Sequence, residues 1–305
     1  MSEASGALAS RPRVAFAGED QLGEGPYWSA TDGRLWWVDI LAPAIHSVLE
    51  GSDKRRTIAL QEPVGVAVPH RDGGLLAAIG GSICRVHEDG AVSCLCSPEA
   101  DRPRNRFNDG KCDSRGRLWV GSLSQDGTNG AGRLWRVDTE GMATTMIDDL
   151  DICNGIGWSP DERWFYVTDS GRGVIYTYAF DPGDGELGER RTFARIAAED
   201  GVPDGLAVDA EGFVWSVRWD GSAVARHDPD GAVEQLVQLP VPRPTSCAFG
   251  GDELSTLYVT SARAGLSAST LAEAPASGSI LAVDTSTRGS PVYPYGSRGP
   301  DQPCG

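Results

Sequence analysis

Four polar residues stand at the entries to short apolar runs. They are Glu24 in LGEGPYW (22–28), Asn108 in RFNDGK (106–111), Asn154 in CNGIGW (153–158) and Asp204 in VPDGLAV (202–208). Two carboxylates and two amides brought together form an all-oxygen site for a hard divalent cation such as Ca²⁺, Mg²⁺ or Mn²⁺; Zn²⁺ and Fe²⁺ also accept carboxylate donors. A cation with open positions polarises a carbonyl and acidifies a bound water, and an adjacent carboxylate can accept that water's proton. Arg106 lies two residues before Asn108, so in extended chain the two face the same side. A guanidinium there can donate to substrate hydroxyls or to a developing oxyanion. Asp and Asn before Gly also form ordinary turns. Glu24 is a poor turn residue, so turn chemistry does not account for the set.

The elements that would position these residues repeat. Helix signals are almost absent, and 39 glycines and 19 prolines punctuate short runs rich in Val, Trp, Tyr and Leu. One unit recurs six times, a strand, a turn such as D-x-x-G and a second strand that usually carries Trp or Tyr; GKCDSRGRLWVGSL (110–123) and GLAVDAEGFVWSVRW (205–219) are two copies. The first strands end at Trp28, Val68, Cys112, Trp158, Val208 and Phe249, 40 to 50 residues apart. Six such units of about four strands predict an all-β, six-bladed β-propeller. In that fold the first strand of each blade lies nearest the axis. The residues four before each strand end, Glu24, Val64, Asn108, Asn154, Asp204 and Thr245, then form a ring, and its four polar members converge at one mouth of the channel. The expected division is an N-terminal extension over 1–13, one propeller domain over 14–285 and a Pro/Gly-rich tail over 286–305. VAFAG (14–18) is expected to supply the outer strand of the last blade.

Composition narrows the function. With 40% hydrophobic and 23% charged residues the chain can bury a large core. A net charge of −16 disfavours nucleic acid and anionic membranes, and suits a cation site or a neutral substrate. No run has the length of a membrane span, and the N-terminus lacks a signal-peptide apolar stretch. The seven cysteines, Cys84, Cys94, Cys96, Cys112, Cys153, Cys247 and Cys304, contain no CxxC and read as free, mostly buried thiols. These features predict a cytoplasmic protein. His46, His70, His87 and His227 form no ligand motif and are expected to be structural or surface residues. No GxSxG elbow and no phosphate-binding loop is present. The nine tryptophans are expected to pack between blades.

LGEGPYW, RFNDGKCDSRGRLWVG (106–121), CNGIGWSPDERWFYVTD (153–169) and VPDGLAVDAEGFVW (202–215) resemble the regucalcin/gluconolactonase, or senescence-marker-protein, family over about residues 14 to 285. The resemblance implies a six-bladed propeller with one divalent metal in the channel, hydrolysing sugar lactones to aldonic acids. It implies that Glu24, Asn154 and Asp204 are metal ligands and that Asp204 is also the general base. Arg106 and Asn108 would bind substrate. The metal would be Ca, Zn, Mn, Mg or Fe(II), the partner a small sugar lactone, and the protein a monomer or weak oligomer. Two alternatives stand beside it, a calcium-dependent phosphotriesterase-like hydrolase and a non-enzymatic calcium-binding propeller. The loop SLSQDGTNGAGR departs from members that place a sugar-contacting acid there, which leaves open whether Asp126 or Asn129 takes that role. FGGDELSTLYVTSARAGLS resembles bacterial pentonolactonases more than animal members.

Overall fold

The structure, a computed structural model, describes residues 9–297. Cys304 and the outer parts of the N-terminal extension and the tail lie outside the described residues. Twenty-four strands there pair into six four-stranded sheets, each an antiparallel meander, and the molecule is the expected six-bladed β-propeller. The first strands of the blades are Gly23–Ser29, Val64–Pro69, Asn105–Cys112, Cys153–Trp158, Val202–Val208 and Pro244–Gly250, and neighbouring ones pack against each other around the axis. Closure follows the sequence expectation. Arg13–Phe16 pairs with Ile280–Asp284 and completes the sixth blade from the other end of the chain. The single α-helix among the described residues, Ala268–Glu273, sits in the connection before Ile280–Asp284, with the Ser267 side chain accepting from the Thr270 N–H.

Apolar faces of adjacent blades meet in clusters such as Val66, Leu76, Phe107, Leu118 and Val120 between the second and third blades. Trp37, Trp119 and Trp215 are buried to 1% exposure or less. An indole in a core needs an acceptor for its N–H, and each finds a carboxylate: Asp20 at 2.7 Å, Asp113 at 2.9 Å and Asp209 at 2.9 Å. Asp113 and Asp209 open the D-x-x-G turns, so one carboxylate both ties its own turn and anchors the Trp six residues on. Of the six described cysteines, all free, four are buried, Cys94 is exposed and Cys96 half-buried.

All six first strands carry a register irregularity at or just after the ring position. Asn108 and Asp109 stand between the pairs Phe107–Ser122 and Gly110–Val120, so two residues oppose Gly121 alone; Asn154–Gly155 and Asp204–Gly205 repeat the arrangement. The bulge also recurs after Glu24, Val64 and Pro244. A bulge bends the strand and re-aims a side chain; Asn108, Asn154, Asp204 and Thr245 lie within it, whereas Glu24 and Val64 pair in register just before it. Gly155 and Gly205 are explained by crowding, not by turn geometry. A Cβ on Gly155 would lie 2.5 Å from the Leu206 nitrogen and 2.7 Å from the Asp204 oxygen, and one on Gly205 would lie 2.4 Å from the Ser246 Cβ. Gly155→Ala is therefore expected to lower stability by about 2–3 kcal/mol, in the range of overpacking in a rigid core. The check is a lower urea midpoint at unchanged m value; an unchanged midpoint would mean that the hub can widen.

The tail crosses the ends of the first strands opposite the ring. Gly289 N–H donates to Leu254 O, Ser290 N–H to Val208 O and Tyr295 N–H to Pro69 O, while Gly296 N–H reaches Gly116 O. Tyr295, 3% exposed, inserts into the core between the second and third blades. Ser290 to Tyr293 cover a cavity of about 140 Å³ at the far end of the channel, whose other walls include Lys111, Trp158, Ala207 and Phe249.

Candidate active site

The ring prediction places Glu24, Asn108, Asn154 and Asp204 at one level of the channel, and all four are buried there, at 4 to 6% exposure. The Asn154 amide lies against Asp204 Oδ1, closer than an ordinary hydrogen bond, and also donates to Ser170 Oγ at 3.1 Å. Glu24 Oε2 accepts from the Gly25 N–H at 3.0 Å. Arg106 and Asn108 do share a side, as their i,i+2 spacing predicts: Arg106 Nη1 donates to Asn108 Oδ1 at 2.9 Å, and Asn108 Nδ2 donates to Cys153 O at 3.1 Å. The guanidinium holds the amide, and both stand beside the carboxylates. The two ring positions without acid or amide differ. Val64 is apolar, and the Thr245 hydroxyl ties Gly23 O and Thr260 across the first and sixth blades.

Two residues escaped the sequence reading. Asp109, 6% exposed, is the second residue of its bulge. Lys111, two residues on, donates from Nζ to Leu206 O at 3.1 Å. Counting one ring residue per blade hid Asp109. A lysine between Gly110 and the buried Cys112, two residues after an acid, was the available signal for Lys111.

The electrostatics are those of crowded acids. Burial pushes the Glu24 carboxyl well above the usual carboxylate range, and the charges of Asp204 and Asp109 push it further; the Gly25 N–H and Arg106 offset part of this. Burial raises Asp204 strongly too, with Asp109 adding and Asn154, the Gly205 N–H and Arg106 opposing. Asp109 is raised by burial against Lys111, and burial lowers both Lys111 and Arg106. Carboxylates this close and this dry stay ionised only beside a compensating cation. Among the described residues no group of three or more His, Cys, Asp and Glu is arranged as a metal cluster. A cation at the ring therefore needs the Asn154 amide oxygen beside Glu24 and Asp204. A half-turn of that amide exchanges its O and N and directs Oδ1 to where Nδ2 now meets Asp204. The donor set is then all oxygen, which fits a hard divalent ion.

The rim and the histidines stand apart from this cluster. Asp126 is exposed and occupied by its own loop: it accepts from Ser124, Thr128 N–H and the Thr128 hydroxyl, pairs with Arg104 at 2.8 Å, and is held down to about 2, chiefly by the Ser124 bond. Asn129 is exposed on the same loop. His46 packs on Trp37 and bonds Thr57, with burial pushing it down to about 4. His227 bonds Gly231 O and Arg218, and His70 and His87 bond Asp72 N–H and Ser93 in loops, so all four are structural or surface residues.

Comparison with known proteins places the chain among its relatives. The SMP-30/Gluconolactonase/LRE-like region family model matches residues 22–263. The 6-deoxy-6-sulfogluconolactonase of Pseudomonas putida is 39% identical over 272 residues, covering 88% of this chain and 92% of that protein. Regucalcin of Sus scrofa is 33% identical over 281 residues, covering 90% and 94%. Among solved structures, the regucalcin of Agrobacterium tumefaciens, described as a calcium-binding protein, superimposes with a TM-score of 0.85 at 29% identity, covering 92% of this chain and 97% of that one. On the matched span, the identity and the fold together, this chain belongs to the SMP-30/gluconolactonase/LRE-like family.

Proposed function

We propose that the protein is a lactonase that opens sugar lactones to aldonic acids, with one divalent cation held by Glu24, Asn154 and Asp204. The observation that carries this reading is the convergence of two buried carboxylates and an amide beside the Arg106–Asn108 pair. The names of its relatives, a sulfogluconolactonase and regucalcins, support it. When bound, the cation would supply positive charge beside the lactone carbonyl and make water a better nucleophile at neutral pH. The chain supplies the rest. The carboxylate of Asp204, ionised beside a compensating cation, takes the proton of the attacking water. Arg106 donates to the sugar's hydroxyls or ring oxygen, and Asn108, fixed by Arg106 and Cys153 O, sets the guanidinium's angle.

A purely calcium-binding role would not require the Arg106–Asn108 pair at the same mouth. The deciding assay is proton release from a panel of aldonolactones, a 6-sulfonated gluconolactone among them, with an organophosphate triester as contrast. Metal-stripped protein is compared with protein reloaded with Ca²⁺, Zn²⁺, Mn²⁺, Mg²⁺ or Fe²⁺. Lactone hydrolysis that returns with metal supports the reading. Turnover of the triester alone, or cation binding without turnover, overturns it. Arg106→Ala is expected to raise KM about 10–100-fold with a smaller change in kcat, the loss of one or two charge-assisted hydrogen bonds to substrate. Equal falls in kcat and kcat/KM in initial-rate measurements would instead place Arg106 in the chemical step.

A further inference from the structure

Cys84 and Cys94 lie on neighbouring strands of the second blade, Ser82–Val86 and the outer, exposed Val92–Cys96. They are direct partners in the register. The hairpin fixes which kind of pair they form. His87 N–H donates to Ala91 O at 2.8 Å across the turn, so His87 and Ala91 are a hydrogen-bonded pair. Such pairs alternate with non-bonded ones along an antiparallel ladder. Val86–Val92 is then non-bonded, Arg85–Ser93 bonded and Cys84–Cys94 non-bonded. At a non-bonded pair the α-carbons lie about 4.5 Å apart and the side chains are closest, inside the span of about 4.4–6.8 Å that a disulfide needs. Leu95 has no partner in the register, and this extra residue turns Cys96 to the other face. Cys96 stands opposite Ile83, against the core between the second and third blades, whereas Cys84 belongs to the core between the first and second. The thiol nearer in sequence is thus withheld from Cys94, and Cys84 is presented to it.

The two thiols differ in access. Cys94 is exposed, with its Sγ 3.5 Å from Ser97 Oγ and 3.6 Å from Cys96 O, weak contacts that a turn about χ1 gives up at little cost. Cys84 is buried, and burial pushes its thiol up to about 12, so it stays protonated and out of reach of dissolved oxidants. We propose that Cys84 and Cys94 are a peroxide-oxidisable pair, in which Cys94 reacts first and Cys84 resolves it into a cross-strand disulfide. The Cys94 thiolate attacks one oxygen of hydrogen peroxide, the O–O bond breaks, and Cys94–SOH forms; the hydroxide released takes up the thiol's proton as water. The Cys84 Sγ then attacks the Cys94 Sγ, the S–O bond breaks, and hydroxide leaves with the Cys84 proton as a second water. Two thiols are oxidised and one peroxide is reduced. Because the partners already face each other, the second step needs no search by the chain. Neither thiol belongs to the ring, so the pair stands apart from the lactonase reading.

Trypsin can read the bond, because it cuts after Arg85 and so separates Cys84, in 72–85, from Cys94 and Cys96, in 86–104. Reduced full-length protein is treated with a several-fold excess of hydrogen peroxide, alkylated in denaturant and digested without reductant. The expected product is peptide 72–85 joined to 86–104, lighter by two hydrogens than its reduced parts, with Cys96 alkylated; dithiothreitol should separate the two again. Cys94→Ser is expected to abolish the link, and Cys96→Ser to leave it as in the wild type. In Cys84→Ala, Cys94 should stop at the sulfenic acid and be captured by dimedone. No link in folded wild-type protein overturns the proposal. So does a bond within 86–104, a bond to Cys304, or a link that survives Cys94→Ser. Cys84→Ala removes a buried side chain; should it fail to fold, the two variants on the outer strand still decide.

Discussion

Asp204→Asn is expected to reduce kcat/KM on the preferred lactone by about 10³–10⁵-fold, since general-base catalysis alone contributes about 10²–10⁴ and, in the proposed site, a charged oxygen donor becomes a neutral one. The same change should raise the stability of the metal-free protein. The folded-state pKa of Asp204 lies above its unfolded value because of burial and the Asp109 charge. Between those two values the folded chain binds a proton that the unfolded chain does not, so stability falls as pH rises through that window. An amide has no such penalty. The expected pair is thus a nearly inactive enzyme that melts higher without metal at neutral pH, a trade-off common at functional sites. Rates at saturating metal, with melting curves of stripped protein, check both. Wild-type turnover in Asp204→Asn would remove it from the mechanism, and a lower melting temperature would show that its carboxylate is compensated without a metal.

Asp209→Ala is expected to be the most damaging single change outside the site, at about 3–5 kcal/mol, the cost of breaking a buried ion pair by removing one partner. Asp209 is fully buried and accepts four hydrogen bonds, from the N–H groups of Glu211 and Phe213 at 3.0 Å each and from Trp215 Nε1 and Arg226 Nε at 2.9 Å each. Its loss leaves the turn untied, the indole without an acceptor and the guanidinium, itself 1% exposed, short of one carboxylate. Glu211 and Glu234 still pair with Arg226, which keeps the estimate from going higher. Urea titration of the purified variant measures it. A loss under about 1 kcal/mol would fit a surface pair and contradict this account.

The fold was legible because each blade writes the same local chemistry. Asp113 and Asp209 fix a turn and a tryptophan in one motif, and Arg13–Phe16 carries the apolar character of an outer strand. Of the candidate site, residue type and phase were legible, but the bulges were not. Hydrophobic alternation sets which side chains share a face, and an extra residue shifts that count silently. For this reason Asp109 was passed over beside Asn108. The glycines at 155 and 205 also read as turn residues, whereas their purpose is the approach of neighbouring backbones at the hub. The tail is aperiodic, and its contacts join positions far apart in the chain, Tyr295 N–H to Pro69 O across more than two hundred residues, which no local pattern announces.

That tail also governs traffic. Ser290 to Tyr293 and Lys111 line the cavity at the far end, so passage by that end would have to displace the tail. In the proposed reaction an acid formed at the ring is then expected to retreat by the route its lactone used to enter. Entrant and leaver queue at the same door, so the aldonate should inhibit competitively, and turnover at high conversion should slow by occupancy well before the reaction nears equilibrium.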